Sequence, residues 1–218
     1  MADPIATAAD YADAIMTARR AKNTLFLILL LILIVQMTLF FLGRNKILNY
    51  GGAEVGVESV ATSQPTSAPV VSQEWIEKLQ YIVGITAYLG IVLTIVLAIV
   101  LLLIVKIMLV GRLIGVARLT SAFIWTVVLA LLLFPWQAFW PNDYKFKVPG
   151  VLYTWDELVH RVKYQTGVSD DSVLFWARFV AFPAVALIIL LSIQIKSRRG
   201  LQQALGEANY DSPNAPIA

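Results

Sequence analysis

The chain has 218 residues, 59% hydrophobic and 14% charged, with a formal net charge of +3. Ordinary soluble domains are about a quarter charged, so this composition excludes one, and a mean hydropathy of +0.74 requires long apolar blocks. Cysteine is absent, which excludes disulfides, thiolate metal sites, iron–sulfur clusters and cysteine nucleophiles.

Residues 1–23 predict an amphipathic N-terminal helix. Asp3 is its N-cap and Pro4 takes the first helical position, where a missing N–H costs nothing. Ala8, Tyr11, Ala12, Ile15 and Met16 then form an apolar stripe opposite Asp10 and Asp13. Arg19, Arg20 and Lys22 precede a first transmembrane span at 24–42. A cleaved signal peptide opens in the same way. This apolar run is longer than a signal core, however, and ends in Phe40, Phe41, Leu42, Gly43, Arg44 without a small-x-small site, so a retained anchor is expected.

Residues 43–72, rich in Gly, Ser, Thr, Ala and Pro and without periodicity, predict a flexible outer linker. Order resumes after Ser72, a candidate N-cap, because Trp75, Ile76, Leu79, Ile82 and Val83 share one helical face while Glu74, Glu77 and Lys78 take the other. A single helix over 73–110 combines a protruding start with the second span. Its 38 residues measure about 57 Å, against an apolar bilayer core of about 30 Å, so it must tilt or protrude.

A cytoplasmic turn at 111–118 leads to the third span, 119–140, which makes the second and third spans antiparallel neighbours. The third ends in FPWQAFWP, where Trp136 and Trp140 mark an aromatic belt and Pro135 frees the carbonyl of Leu131. The outer loop at 141–172 carries a T-x-x-E capping box at Thr154 and Glu157, with Trp155, Leu158, Val159 and Val162 at i, i+3, i+4 and i+7. An amphipathic helix at 155–165 follows from that spacing. Helices this short are marginal alone in water, so its apolar face needs the bilayer interface or the protruding start of the second span. Ser169 caps the fourth span, 173–195, Asp170 and Asp171 complement its dipole, and a cytoplasmic tail occupies 196–218. The expected fold class is an all-α integral membrane protein, a four-transmembrane-helix bundle with a short amphipathic helix in the second outer loop.

Basic residues set the expected orientation. Nine cluster at helix ends on the side of the two termini, namely Arg19, Arg20, Lys22, Lys106, Arg112, Arg118, Lys196, Arg198 and Arg199, whereas seven are spread over the two long loops. With the acidic residues counted, the terminal side carries +4 and the loop side −2, and Arg178 completes the total. Both termini are therefore expected in the cytoplasm of a bacterial inner membrane. The basic pI reports orientation and does not call for a nucleic-acid partner.

Ionisable groups inside a span are functional candidates by default. Lys106 lies close enough to a helix end to snorkel. Arg178 stands a few residues into the fourth span, on the outer side; it either pairs with Asp171 or Asp143, snorkels to outer headgroups, or binds an anion. Pro183 removes an N–H and frees the carbonyl of Phe179, which predicts a kink. Gln36, Thr86, Thr94, Thr126 and Gln137 are expected to make interhelical hydrogen bonds. Gly90, Thr94 and Ala98 form a small face, and the G-x-x-x-G at Gly111 and Gly115 falls in the turn. His160, the single histidine, lies in the loop helix with Asp156 four residues before it, too few ligands for haem or zinc. No nucleotide loop, nucleophile elbow or metalloprotease motif occurs, and no cofactor is expected.

These features favour a non-enzymatic accessory or scaffold subunit of a membrane complex, in contact with lipid and with a protein partner or a second copy through apolar helix faces. The alternative is a subunit of an oligomeric transporter or channel, although no internal repeat or buried carboxylate marks one. A membrane enzyme using His160, Asp156, Arg161 and Arg178 has too few ingredients. The outer elements around Trp75 and Trp155 are the expected partner sites.

Overall fold

The structure, a computed structural model, describes residues 8–44, 73–134, 150–153, 155 and 176–206. Over these residues it is all-helical without strands. Four helices are long and apolar enough to cross a membrane. They are α1, Ala8–Arg44; α2, Gln73–Val110; α3, Val116–Leu133; and a fourth in which a five-residue π-helical turn, Ala177–Ala181, runs into α4, Phe182–Ala204. The capped start at Asp3, most of the outer linker, the aromatic belt at Trp136 and Trp140 and the loop helix after Trp155 lie outside the described residues, as do Asp143 and Asp171.

The two pieces expected at 1–23 and 24–42 are continuous in α1. From Ala8 to Leu42 the sequence offers neither proline nor glycine, and the charged Arg19, Arg20 and Lys22 are themselves good helix formers, so a helix has no reason to stop between them. α3 closes at Leu133, and residues 135–140 of the expected third span lie outside the described residues. Phe134 is extended, with φ −66° and ψ 132°, while its N–H still bonds to the Ala130 carbonyl. The ring of the next residue, Pro135, crowds helical geometry at the position before it.

Each helix buries one stripe and leaves the rest apolar but exposed. On α3 the stripe is Leu119, Ala122, Thr126, Leu129 and Leu133; on α4 it is Ala186, Leu190, Ile193, Ser197 and Gly200. On α2 it is Gly90, Thr94, Leu97, Leu101, Ile104 and Met108. Alternating steps of three and four residues keep such a seam on one face of a helix, as in left-handed bundles. The outward positions carry Leu27, Ile85, Ile99, Ile124 and Ile188, all exposed, the reverse of a water-soluble helix.

The chain divides into two compact units. One takes Met1–Leu31, Ile91–Phe134 and Val185–Ala218; the other takes Ile32–Gly90 and Pro135–Ala184. In the first, α2 ends in a Schellman-type cap: Leu113 N–H donates to the Met108 carbonyl at 2.9 Å, and Arg112, with φ 50°, donates to that of Leu109 at 3.2 Å. Gly115 then supplies φ 98° where α3 begins. A Cβ at Gly115 would lie 2.6 Å from the carbonyl oxygen of Gly200 on α4. Two glycines thus set the approach of these segments.

In the second unit, Leu39 and Phe40 of α1, Val83 of α2, Tyr153 and Phe179 form a buried cluster. Phe40 and Phe179 stack with centroids 4.7 Å apart and planes 5° off parallel, and Tyr153 tilts against Phe179 at 5.6 Å. Residues 151–153 reach this cluster through room left by Gly90, where a Cβ would meet the Leu152 side chain at 3.0 Å and that of Ile32 at 3.5 Å.

Candidate functional site

Pro183 decides the geometry around Arg178. Without an N–H at 183, the Phe179 carbonyl loses its regular donor, and the helix widens: Phe182 N–H bonds to the Ala177 carbonyl, five residues back. The expected disturbance therefore takes the form of a π turn, a feature that recurs at functional sites. Arg178 lies inside it, only 9% exposed, with its Nη1 atom enclosed. The next residue, Phe179, is the ring stacked on Phe40, so the turn that carries the guanidinium is pinned by the aromatic cluster.

Polar contacts in the same unit tie its segments together. The Tyr153 hydroxyl donates to the Gln36 main-chain carbonyl, and Gln36 Nε2 reaches Thr86 Oγ1 at 3.5 Å. Thr86 itself donates to the carbonyls of Ile82 or Val83 on its own helix, and in the first unit Thr126 does likewise to Ala122. Of the polar side chains expected to bridge helices, Gln36 and Thr86 are brought together.

The sequence-derived candidates separate. Pro183 is buried in α4. Trp155 packs half-buried against the aromatic cluster and, with Glu77, Gln80, Tyr81, Gly84 and Ile85, lines an open cleft of about 470 Å³. Trp75 is 59% exposed, with Lys78 Nζ 5.0 Å from its ring centroid, a surface cation–π contact. His160 lies outside the described residues.

A second polar centre, in the first unit, escaped sequence reasoning. Lys22, counted above only as an orientation charge, is 1% exposed. Its ammonium donates to Gln194 Oε1 at 2.7 Å and to Ser197 Oγ at 2.9 Å, and Gln194 Nε2 donates to Asn23 Oδ1 at 3.1 Å. Nearby in sequence, Lys196 donates to Ser121 Oγ at 3.0 Å and lies 5.3 Å from the Trp125 ring centroid. The signal in the sequence was the pair Gln194 and Ser197, three apart on one face of an apolar run. A polar pair there calls for a polar partner.

The buried polar side chains among the described residues are Lys22, Gln36, Thr94, Thr126, Arg178 and Ser197. They supply two cations and neutral donors or acceptors, a set suited to helix adhesion and anion contact. No family model matches the chain, and no curated protein or solved structure matches it.

Proposed function

We propose that this chain is a non-enzymatic multi-pass membrane protein that serves as an accessory or scaffold subunit of a membrane complex. The observation that carries the reading is the outward apolar surface: at most 33% of each apolar window is buried inside the protein. Such faces must meet lipid or another protein. On α2, Tyr81, Ile85 and Tyr88 lie at i, i+4 and i+7 and are exposed by 73, 61 and 73%. Two tyrosines on one ridge combine large contact area with a hydroxyl that seeks a partner, the composition of protein-binding surfaces. Trp155 and the cleft beside Tyr81 extend this face, and Trp75, Trp155 and His160 then lie on the exported side. Arg178 and Pro183 shape the helix that supports it.

Solubilisation in mild detergent and purification of the full chain tests this. The expected result is recovery in fixed stoichiometry with a second membrane protein, lost in a Tyr81→Ala/Tyr88→Ala variant that still elutes as a folded species. A lone monomer overturns the subunit reading, and a homo-oligomer that conducts ions selects the transporter or channel reading.

The nine basic residues at the helix ends support both termini in the cytoplasm of a bacterial inner membrane, with outer segments at 43–72 and 141–172. Alkaline phosphatase fused after Ala218 is then expected to be inactive, and green fluorescent protein at the same point bright. Active phosphatase would invert the topology.

A further inference from the structure

Lys22 poses a problem that its own contacts do not solve. An ammonium taken out of water needs compensation by negative charge, yet both acceptors it meets, Gln194 and Ser197, are neutral. Among the described residues, the charges that act on it, those of Arg19 and Arg198, have its own sign. Arg19 lies one turn before Lys22 on α1, Arg198 follows Ser197 on α4, and Arg20 and Arg199 beside them are exposed. Two helices therefore deliver cations to one end of their apolar stretches. Farther along the same helices, Leu27 and Leu31 of α1 and Leu191 and Ile195 of α4 are exposed.

We infer that this end of α1 and α4 is a binding site for an anionic phospholipid, with Arg19 and Arg198 on the headgroup phosphate and Lys22 fixed behind them. The inference rests on the membrane reading above. The buried lysine contributes charge without mobility: held by Gln194 and Ser197, it keeps a positive potential beneath the arginines that a headgroup phosphate offsets. Basic side chains near a bilayer surface attract anionic headgroups in this way, and basic pockets between spans select them. The exposed leucines and isoleucine favour a lipid over free phosphate, because acyl chains find an apolar surface adjoining the charge.

Native mass spectrometry of the full chain released from detergent, with phosphatidylglycerol, phosphatidylcholine or inorganic phosphate added, tests the site. Phosphatidylglycerol is expected to stay bound in preference to phosphatidylcholine and to resist displacement by inorganic phosphate. An Arg19→Gln variant should weaken retention about fivefold and Arg19→Gln/Arg198→Gln about 25-fold, since each basic group near the surface adds a similar increment. Arg19→Lys/Arg198→Lys should restore it. Equal retention of the two lipids, displacement by inorganic phosphate, or unchanged binding in the double glutamine variant would overturn the inference. Partition of the chain into detergent and vesicles is read separately: failure there removes the membrane reading, whereas partition without headgroup preference removes only the lipid site.

Discussion

A Gly115→Ala variant is expected to lose about 2–5 kcal/mol of stability, far more than one methyl group ordinarily costs. Two effects act together. At φ 98° a residue with a Cβ is strained by about 1–2 kcal/mol, and that Cβ would be placed 2.6 Å from the Gly200 carbonyl oxygen. A main-chain oxygen has no rotamer through which to withdraw, so the segments must separate, and overpacking of this kind costs about 1–3 kcal/mol. Gly206→Ala separates the contributions, because Gly206 also has a positive φ, 72°, but a Cβ there would meet nothing within 4 Å. Unfolding of the purified chain in detergent, followed by circular dichroism, is expected to rank Gly115→Ala well below Gly206→Ala. Equal losses would show that the close approach to Gly200 does not limit packing.

Phe179→Ala is expected to be the second large loss. Phe179 is 1% exposed, stacked on Phe40 and in contact with Tyr153. Truncating a buried phenylalanine costs about 3–5 kcal/mol. The lower end applies here, because in a bilayer lipid supplies part of the apolar surroundings and mostly packing is lost. Tyr153→Phe keeps the ring and removes only the hydroxyl bound to the Gln36 carbonyl, so it should cost about 1 kcal/mol. The same unfolding measurement checks both. A Tyr153→Phe loss matching that of Phe179→Ala would mean that the hydrogen bond, not the ring stack, holds residues 151–153.

The four apolar helices are legible in the sequence because hydropathy and length depend on local composition alone. Pro135 and Pro183 mark real events, but their form is not legible. Whether a proline ends a helix, as after Leu133, or is absorbed in a π turn, as at Ala177–Ala181, depends on what packs around it, and the turn before Pro183 carries the ring stacked on Phe40. The continuity of α1 was hidden by a change of composition at Lys22, which alters the surroundings a residue prefers without altering helix propensity. Lys22 itself shows the limit most clearly. Its charge marks a helix end for orientation, whereas its surroundings are set by side chains on α4 that no local pattern connects to it.

The separation of those partners also orders events during synthesis. Gln194 and Ser197 follow Lys22 by 172 and 175 residues, an interval of about 10–35 s at ordinary rates of translation. Until they emerge, Lys22 lacks the two side-chain acceptors that hold its ammonium in the folded chain. Arrival of α4 then withdraws the lysine from solvent and joins the earliest helix to the latest. A chain truncated before α4 would leave the Lys22 ammonium without these two acceptors.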